Sequence, residues 1–174
     1  LENTNKGLFE ECKGLKTVIF VNGVGEMDNY LFNYCKNLKT VWWKGKVNRI
    51  GVQCFGATGL EQFCVNAKNI DSCAFIGCED LKEIHIRSGV ENLNMTAFAM
   101  LTGIETICLE GIDPDVMEAD WMNLQNSTVT IMVPEDTTDE QLQLVTQKFA
   151  SAYIIVNKSQ VQKGSCQLSD DPMP

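Results

Sequence analysis

The sequence lacks several features that define common classes of protein. Its longest uncharged apolar run, Thr17 to Val21, is far shorter than the ~20 residues that a helix needs to cross a bilayer, so we predict no membrane span. Basic residues are few: 14 Lys and Arg stand against 23 Asp and Glu, and the net charge of -9 excludes a general nucleic-acid binder. With one His and no recognisable catalytic motif, the chain is predicted to be neither an enzyme nor a cofactor-binding protein. A hydrophobic content of 44% still indicates a folded chain.

A repeated segment dominates the first 110 residues. The sequence Phe9-Glu-Glu-Cys-Lys-Gly-Leu-Lys-Thr-Val recurs from Phe32 and, with substitutions, from Phe75; weaker copies begin at Phe55 and Phe98. The steps between these Phe residues are 23, 23, 20 and 23 residues. A unit this short cannot bury its own apolar face, so the sequence predicts units stacked in a solenoid, with the Phe residues in one buried column.

Each unit contains two groups of apolar residues. The first alternates, as Val41 and Trp43 do, and predicts a short parallel strand with one buried face. The second places apolar residues three apart, as at Val47 and Ile50. The prediction is one strand per unit. The third unit is three residues short and has Thr58 where the clearest units have Cys, so we expect a local irregularity there.

The pattern fades after Leu109. Residues Thr128 to Val133 predict a strand, Thr138-Asp-Glu-Gln141 predicts a capping box that opens a helix, and Tyr153 to Val156 predict a last strand. A strand, a helix and a strand over residues 112–157 would form a C-terminal cap on the last repeat. Residues 158–174 are predicted to be a flexible tail.

The clearest unit resembles a known family. Its sequence, Ala74-Phe75-Ile-Gly-Cys78-Glu-Asp-Leu81-Lys-Glu-Ile84-His-Ile86, is similar to the BspA-like leucine-rich repeat. The resemblance implies an α/β solenoid, a right-handed coil with five repeats over residues 1–111, of which the first begins inside a repeat. It also implies a secreted or cell-surface protein, since members occur in such proteins of anaerobic bacteria and protozoan parasites, with adhesive or unknown roles.

Most of the cysteines fit the repeat. Cys12, Cys35 and Cys78 share one position of their units, and Cys54 occupies a small-residue position. Free Cys behaves as a small buried hydrophobe, so we predict four buried free thiols. No Cys-x-x-Cys pair is present, which argues against a structural zinc site.

An outward row of the strands offers an alternative. Cys64, His85 and Cys108 fall in one column, which suggests a metal or thiol site. In a straight row, however, the outer ligands would lie ~10 Å apart, too far for one tetrahedral ion. An open sheet face also lacks a clear oxyanion pocket. We therefore predict no metal ligand and no catalytic residue.

The outward strand positions are the predicted binding surface. The register makes Trp43 a core residue and leaves Trp42 exposed, and exposed Trp is enriched in interface hot spots. Basic residues without any acid accompany it in the second unit: Lys36, Lys39, Lys44, Lys46 and Arg49. The predicted partner is a protein or glycan on the concave strand face of a monomer. The residues predicted to contact it are Trp42, Lys44, Thr40, His85 and Arg87. A structural spacer within a larger surface protein is the alternative.

Overall fold

The structure, a computed structural model, describes residues 4–94, 96–110, 128–149 and 153–158. Strands and one helix follow each other along these residues: β1 (Thr17–Phe20), β2 (Glu26–Met27), β3 (Thr40–Trp43), β4 (Val47–Ile50), β5 (Gln62–Val65), β6 (Ala67–Ile70), β7 (Glu83–Ile86), β8 (Asn92–Leu93), β9 (Thr106–Leu109), β10 (Thr128–Val133), α1 (Asp139–Lys148) and β11 (Tyr153–Lys158). The fold is a parallel β-solenoid, which confirms the predicted stacking of units. The predicted class was an α/β solenoid, but in the described residues the one helix follows the repeats.

Successive units stack through parallel strands. The first strands of the units form the pair β1-β3 and the sheet β5-β7-β9, which β10 and β11 continue beyond the repeats. In units one to four, the second apolar group forms another parallel sheet, β2-β4-β6-β8. The prediction of one strand per unit is therefore wrong. The ladder between β4 and β6 pairs Val47 with Ala67 and Ile50 with Ile70 but skips Asn48. Because strict alternation is interrupted, the inward residues lie three apart. The sequence therefore lacks the period of two by which a strand is recognised.

The Phe residues form the predicted column. Neighbouring rings stack almost parallel, with centroids 5.6, 5.4, 5.2 and 4.9 Å apart. Four of the rings are fully buried, and Phe9, at the end of the column, is half-buried. Offset stacking of this kind adds to the stabilisation from burial alone. The column is therefore the continuous part of the core that joins all five units.

The backbone around each Phe turns so that alternate N–H groups point at the next unit. Tyr30, Phe32 and Tyr34 donate to carbonyl oxygens of the following unit at 2.9, 2.8 and 2.8 Å. Tyr30 and Tyr34 achieve this with φ of 61° and 59°, in the left-handed region. The position two residues after Phe is left-handed in every unit, at Glu11, Tyr34, Ala57, Gly77 and Met100. This conformation costs a non-glycine residue about 1–2 kcal/mol, which the inter-unit hydrogen bonds offset.

Of the four cysteines predicted to be buried free thiols, all four are free and three are buried. Cys35, Cys54 and Cys78 are buried and free, whereas Cys12 is free but only half-buried. The thiols of Cys35 and Cys78 donate to the carbonyl oxygen of the Phe in the preceding unit, at 2.9 and 3.0 Å. Cysteine suits this position because it is small, tolerates burial and still supplies a weak donor. Burial raises the pKa of Cys78 to about 11 and that of Cys54 well above its usual value.

The third unit is irregular where predicted. Strands β5 and β6 are separated by Asn66 alone, and within the described residues no ladder joins β3 to β5. Thr58 fills the position of Cys but bonds differently. Its hydroxyl donates to the carbonyl oxygen of Phe55 in its own unit at 3.0 Å, and it contacts the Cys78 thiol at 3.2 Å. The short unit disturbs the strand ladder and leaves the ring column intact.

A strand, a helix and a strand follow the repeats. Strand β10 extends the sheet beside β9, and β11 pairs with β10 in parallel. Helix α1 begins at the predicted capping box, in which Thr138 and Gln141 bond reciprocally, and it buries Val145. The boundary at residues 111–112 lies outside the described residues. The tail was predicted to begin at residue 158, but Lys158 is the last residue of β11, and residues 159–174 lie outside the described residues. Across the described part of the chain, no helix has the length and apolar character that a membrane span requires.

Candidate functional site

The predicted binding residues lie on one surface, which we call the strand face. It consists of the outward side chains of β1, β3, β5, β7 and β9 and of the residue after each strand. Trp43 packs in the core against Phe63, with ring centroids 5.7 Å apart, as predicted. Trp42 points to the opposite side of β3 but is only 5% exposed, so the prediction of an exposed Trp42 is wrong. Strand alternation fixes the side of the sheet on which a residue lies. It does not fix the exposure of an indole that can lie against its neighbours.

The N-terminal part of the strand face is open. Ile19, which pairs with Trp42, is 44% exposed, and Val21 is 67% exposed. Thr40 and Lys44 are exposed beside them, as predicted. Ile19 and Val21 lie on this face by the same alternation that turns Trp42 outward, but they were not among the residues predicted to contact a partner. The apolar character of two outward positions in one strand was the available signal.

The predicted basic patch is partly neutralised, since two of its five residues form ion pairs. Lys39 forms ion pairs with Glu61 at 2.9 Å and Asp80 at 3.2 Å, and Arg49 forms one with Asp71 at 2.7 Å. These acids belong to units three and four, which stacking brings beside the second unit. The net charge of the patch therefore depends on the neighbouring units as well as on the second unit. On the strand face, the exposed Lys44 forms no ion pair with any residue that the structure describes.

Arg87 faces Glu110. The Arg87 Nε lies 3.5 Å from a carboxylate oxygen of Glu110, whose side chain is 4% exposed. The other oxygen of Glu110 is buried without a hydrogen-bond partner in the described residues. Arg87 is thus half-buried and engaged, which reduces its availability to a partner.

His85 is buried rather than exposed. Its side chain lies in the outward row but is inaccessible, with the whole residue 8% exposed. Its Nε2 lies 2.5 Å from a carboxylate oxygen of Glu83, and its Nδ1 is buried with no hydrogen-bond partner among the described residues. His85 is therefore not an open surface residue, and its predicted contact with a partner stays a prediction.

The structure does not support a metal or thiol site made of Cys64, His85 and Cys108. Cys64 is bonded in a disulfide and offers no thiolate, so this set of three cannot bind a metal. Burial, followed by the charges of Glu83 and Glu110, raises the pKa of Cys108 to about 11, which argues against an activated nucleophile. The group that comes together is instead Glu83, His85 and Cys108, whose ligand atoms all lie within 4.8 Å of one another.

Comparison with known proteins identifies the repeat. The profile described as BspA type leucine-rich repeat region matches residues 1–71 and 62–136, in six copies. The chain belongs to the BspA-type leucine-rich repeat family. A leucine-rich repeat protein from Bacteroides ovatus has a similar crystal structure, with a TM-score of 0.57 and 14% identity over 96% of this chain. This chain spans 51% of the length of that protein. No match was found among curated proteins.

The family match and the similar crystal structure both support the fold of this chain. They confirm the predicted repeat type, the BspA-like leucine-rich repeat. The predicted boundaries, right-handed coiling and capping role of residues 112–157 stay predictions. BspA-type membership is likewise a statement about the repeat, and what this member binds has to be argued from its own surface.

Proposed function

We propose that this BspA-type domain is a non-enzymatic binding module of a secreted or cell-surface protein, and that it binds a protein or glycan partner through the strand face. The observation that carries the proposal is the group of exposed side chains Ile19, Val21, Thr40 and Lys44 on two neighbouring strands. Leucine-rich-repeat solenoids present such extended surfaces to their partners.

This group combines the chemistry that a partner can use. Ile19 and Val21 expose apolar surface whose burial is worth roughly 25 cal/mol per Å². Lys44 adds an open positive charge, which favours an anionic partner and speeds its encounter. Trp42 lies behind them as the side chain paired with Ile19, and we assign it the role of shaping this surface. His85 and Arg87 form the adjoining, more closed part of the face.

A binding screen with matched variants tests the proposal. The purified domain would be screened against extracellular-matrix proteins and an array of anionic glycans, and hits would be measured by surface plasmon resonance. We expect Ile19→Ser combined with Val21→Ser to weaken binding by at least tenfold. Lys44→Glu should slow association and reduce its salt dependence.

Met100→Ser serves as the control, because Met100 is an exposed apolar residue in the turn after Phe98 and not on the strand face. Equal affinity of the Ile19/Val21 double variant and the parent would contradict the proposed surface. The spacer alternative gives a different result: a folded domain that binds nothing in the screen. We propose a monomer for the isolated domain, which sedimentation velocity would measure in the same preparation.

A further inference from the structure

We propose that Glu83, His85 and Cys108 form a binding site for a thiophilic metal ion, Zn(II) or Cu(I), with Met132 as an additional sulfur ligand. The proposal departs from the sequence-based expectation that no metal is bound, and it is independent of the proposed partner.

Three neighbouring strands assemble the site. Glu83 and His85 are two residues apart on β7, so both side chains leave the same side of the sheet. Cys108 of β9 pairs directly with His85, and Met132 of β10 pairs with Cys108. The register of a parallel sheet therefore places imidazole, thiol and thioether in one continuous row, with the carboxylate beside it.

The distances between the ligand atoms are close to those required around a tetrahedral ion. The Cys108 Sγ lies 3.6 Å from the Met132 Sδ. Two sulfur ligands of a tetrahedral ion with metal–sulfur bonds of about 2.3 Å lie about 3.8 Å apart. The ligand atoms of Glu83, His85 and Cys108 lie within 4.8 Å, so the longest separation has to shorten by about 1 Å, which rotation of the side chains can supply.

This arrangement avoids the spacing problem of the row Cys64, His85 and Cys108. In that row the outer ligands sit two strands apart, which is ~10 Å. Here the carboxylate comes from the same strand as the histidine, and the three principal ligands span only the adjacent strands β7 and β9. Met132 lies on β10, two strands from His85, and joins the site only through its long side chain, which places its sulfur 3.6 Å from the Cys108 Sγ.

An unpartnered nitrogen supplies the independent sign of a ligand. His85 is more than nine-tenths buried, and its Nδ1 has no hydrogen-bond partner within the described part of the chain. Leaving a buried polar atom unpaired costs about 1–3 kcal/mol, which an ion bound to the ring would relieve.

The surroundings favour a cation. Glu83 and Glu110 are both close enough to act electrostatically on the Cys108 thiol, and one buried oxygen of Glu110 has no partner in the residues described. The ligand set is mixed: imidazole and thiolate suit zinc and copper alike, whereas a thioether favours Cu(I). Glu83 would serve Zn(II) as a hard ligand, and Met132 would serve Cu(I) as a soft one.

Metal titration of the native chain tests the site. The purified domain, stripped with a chelator, would be titrated anaerobically with Zn(II) and with Cu(I), each against a chromogenic competitor. We expect one ion per chain. Cys108→Ser and His85→Gln should lower the affinity at least ~100-fold. Met132→Leu should lower the affinity for Cu(I) by ~10-fold with little effect on Zn(II), and Glu83→Gln should affect Zn(II) more.

Cys12→Ser is the matched control, since Cys12 is a free, half-buried thiol outside the site. It should bind as the parent does. A readout that needs no variant is the Co(II) spectrum of the parent chain, which should show a thiolate-to-cobalt charge-transfer band. Absence of that band together with no bound Zn(II) or Cu(I) overturns the proposal. So does binding that survives Cys108→Ser, whether or not it is lost in Cys12→Ser.

Discussion

Replacing Phe75 with Ala removes the middle of the ring column. Phe75 is fully buried and stacks on Phe55 and Phe98, with centroids 5.2 and 4.9 Å away and rings within 11° of parallel. Phe63 meets it nearly edge-on at 4.8 Å. A buried Phe→Ala change costs about 3–5 kcal/mol, and lost aromatic pairs add about 0.5–1.5 kcal/mol each to burial. We therefore expect a loss of about 4–5 kcal/mol from the free energy of unfolding.

Phe9→Ala is the matched comparison. Phe9 occupies the same column but is half-buried and stacks on Phe32 alone in the described column, at 5.6 Å. We expect it to cost about 1–2 kcal/mol, because less apolar area and one stacking pair are lost.

Urea unfolding, followed by both Trp fluorescence and far-UV circular dichroism, measures the difference. Coincidence of the two probes establishes that a single transition is being compared, since repeat arrays can unfold in steps. A stability of 5–15 kcal/mol is typical of a domain, so Phe75→Ala should shift the midpoint strongly or prevent folding. Equal costs at Phe75 and Phe9 would refute the view that the column is the continuous core.

Further predictions concern the buried thiols, the left-handed turns and the helix cap. Burial raises the pKa of Cys78 from 9.0 to about 11, so its stabilising contribution is complete below pH 9 and is lost as the pH rises towards 11. The urea midpoint should fall over that range, and Cys78→Ala should reduce the fall; an unchanged slope would contradict the assignment. Met100 has φ of 61° and is 71% exposed, so Met100→Gly should raise the free energy of unfolding by about 0.5 kcal/mol. At the equivalent position of the preceding unit, Gly77→Ala should lower it by about 1 kcal/mol, because φ is 68° although space for a methyl group exists. Thermal unfolding of the two variants should move in opposite directions. Thr138→Ala should cost about 1 kcal/mol of helix stability, seen as faster amide hydrogen exchange in the first turn of α1.

The core of the fold could be predicted because it repeats. Phe, Leu and Cys positions recur at nearly fixed intervals. When similar units stack, equivalent residues of neighbouring units come into contact. Thr58 shows that the position in the repeat matters more than the residue type. It differs from the Cys of the pattern, yet it fills the Cys position and donates a hydrogen bond to Phe55 there. The second sheet was missed because its ladder skips Asn48, which breaks the period of two on which strand prediction depends.

The strand face was predictable in direction but not in exposure. Alternation put Trp42 and His85 on the outward side, yet both are buried, because accessibility depends on neighbouring groups that the repeat pattern does not specify. Glu83 carried a usable signal: it lies two residues from His85 in a predicted strand, which places both on one side. Partners of the basic residues come from units above and below and could be found only after stacking was known.

The shortened third unit has a consequence for how such chains change over generations. Its missing residues fall in the links between strands, and the ring spacing of 5.4 and 5.2 Å on either side of Phe55 is undisturbed. A unit is thus still held by its immediate neighbours through stacked rings and the backbone bonds around them, although the shorter links cost it the ladder between β3 and β5. Recombination between gene segments that trims such a link would therefore alter the strand ladder, and the surface that the ladder carries, while it keeps the ring column.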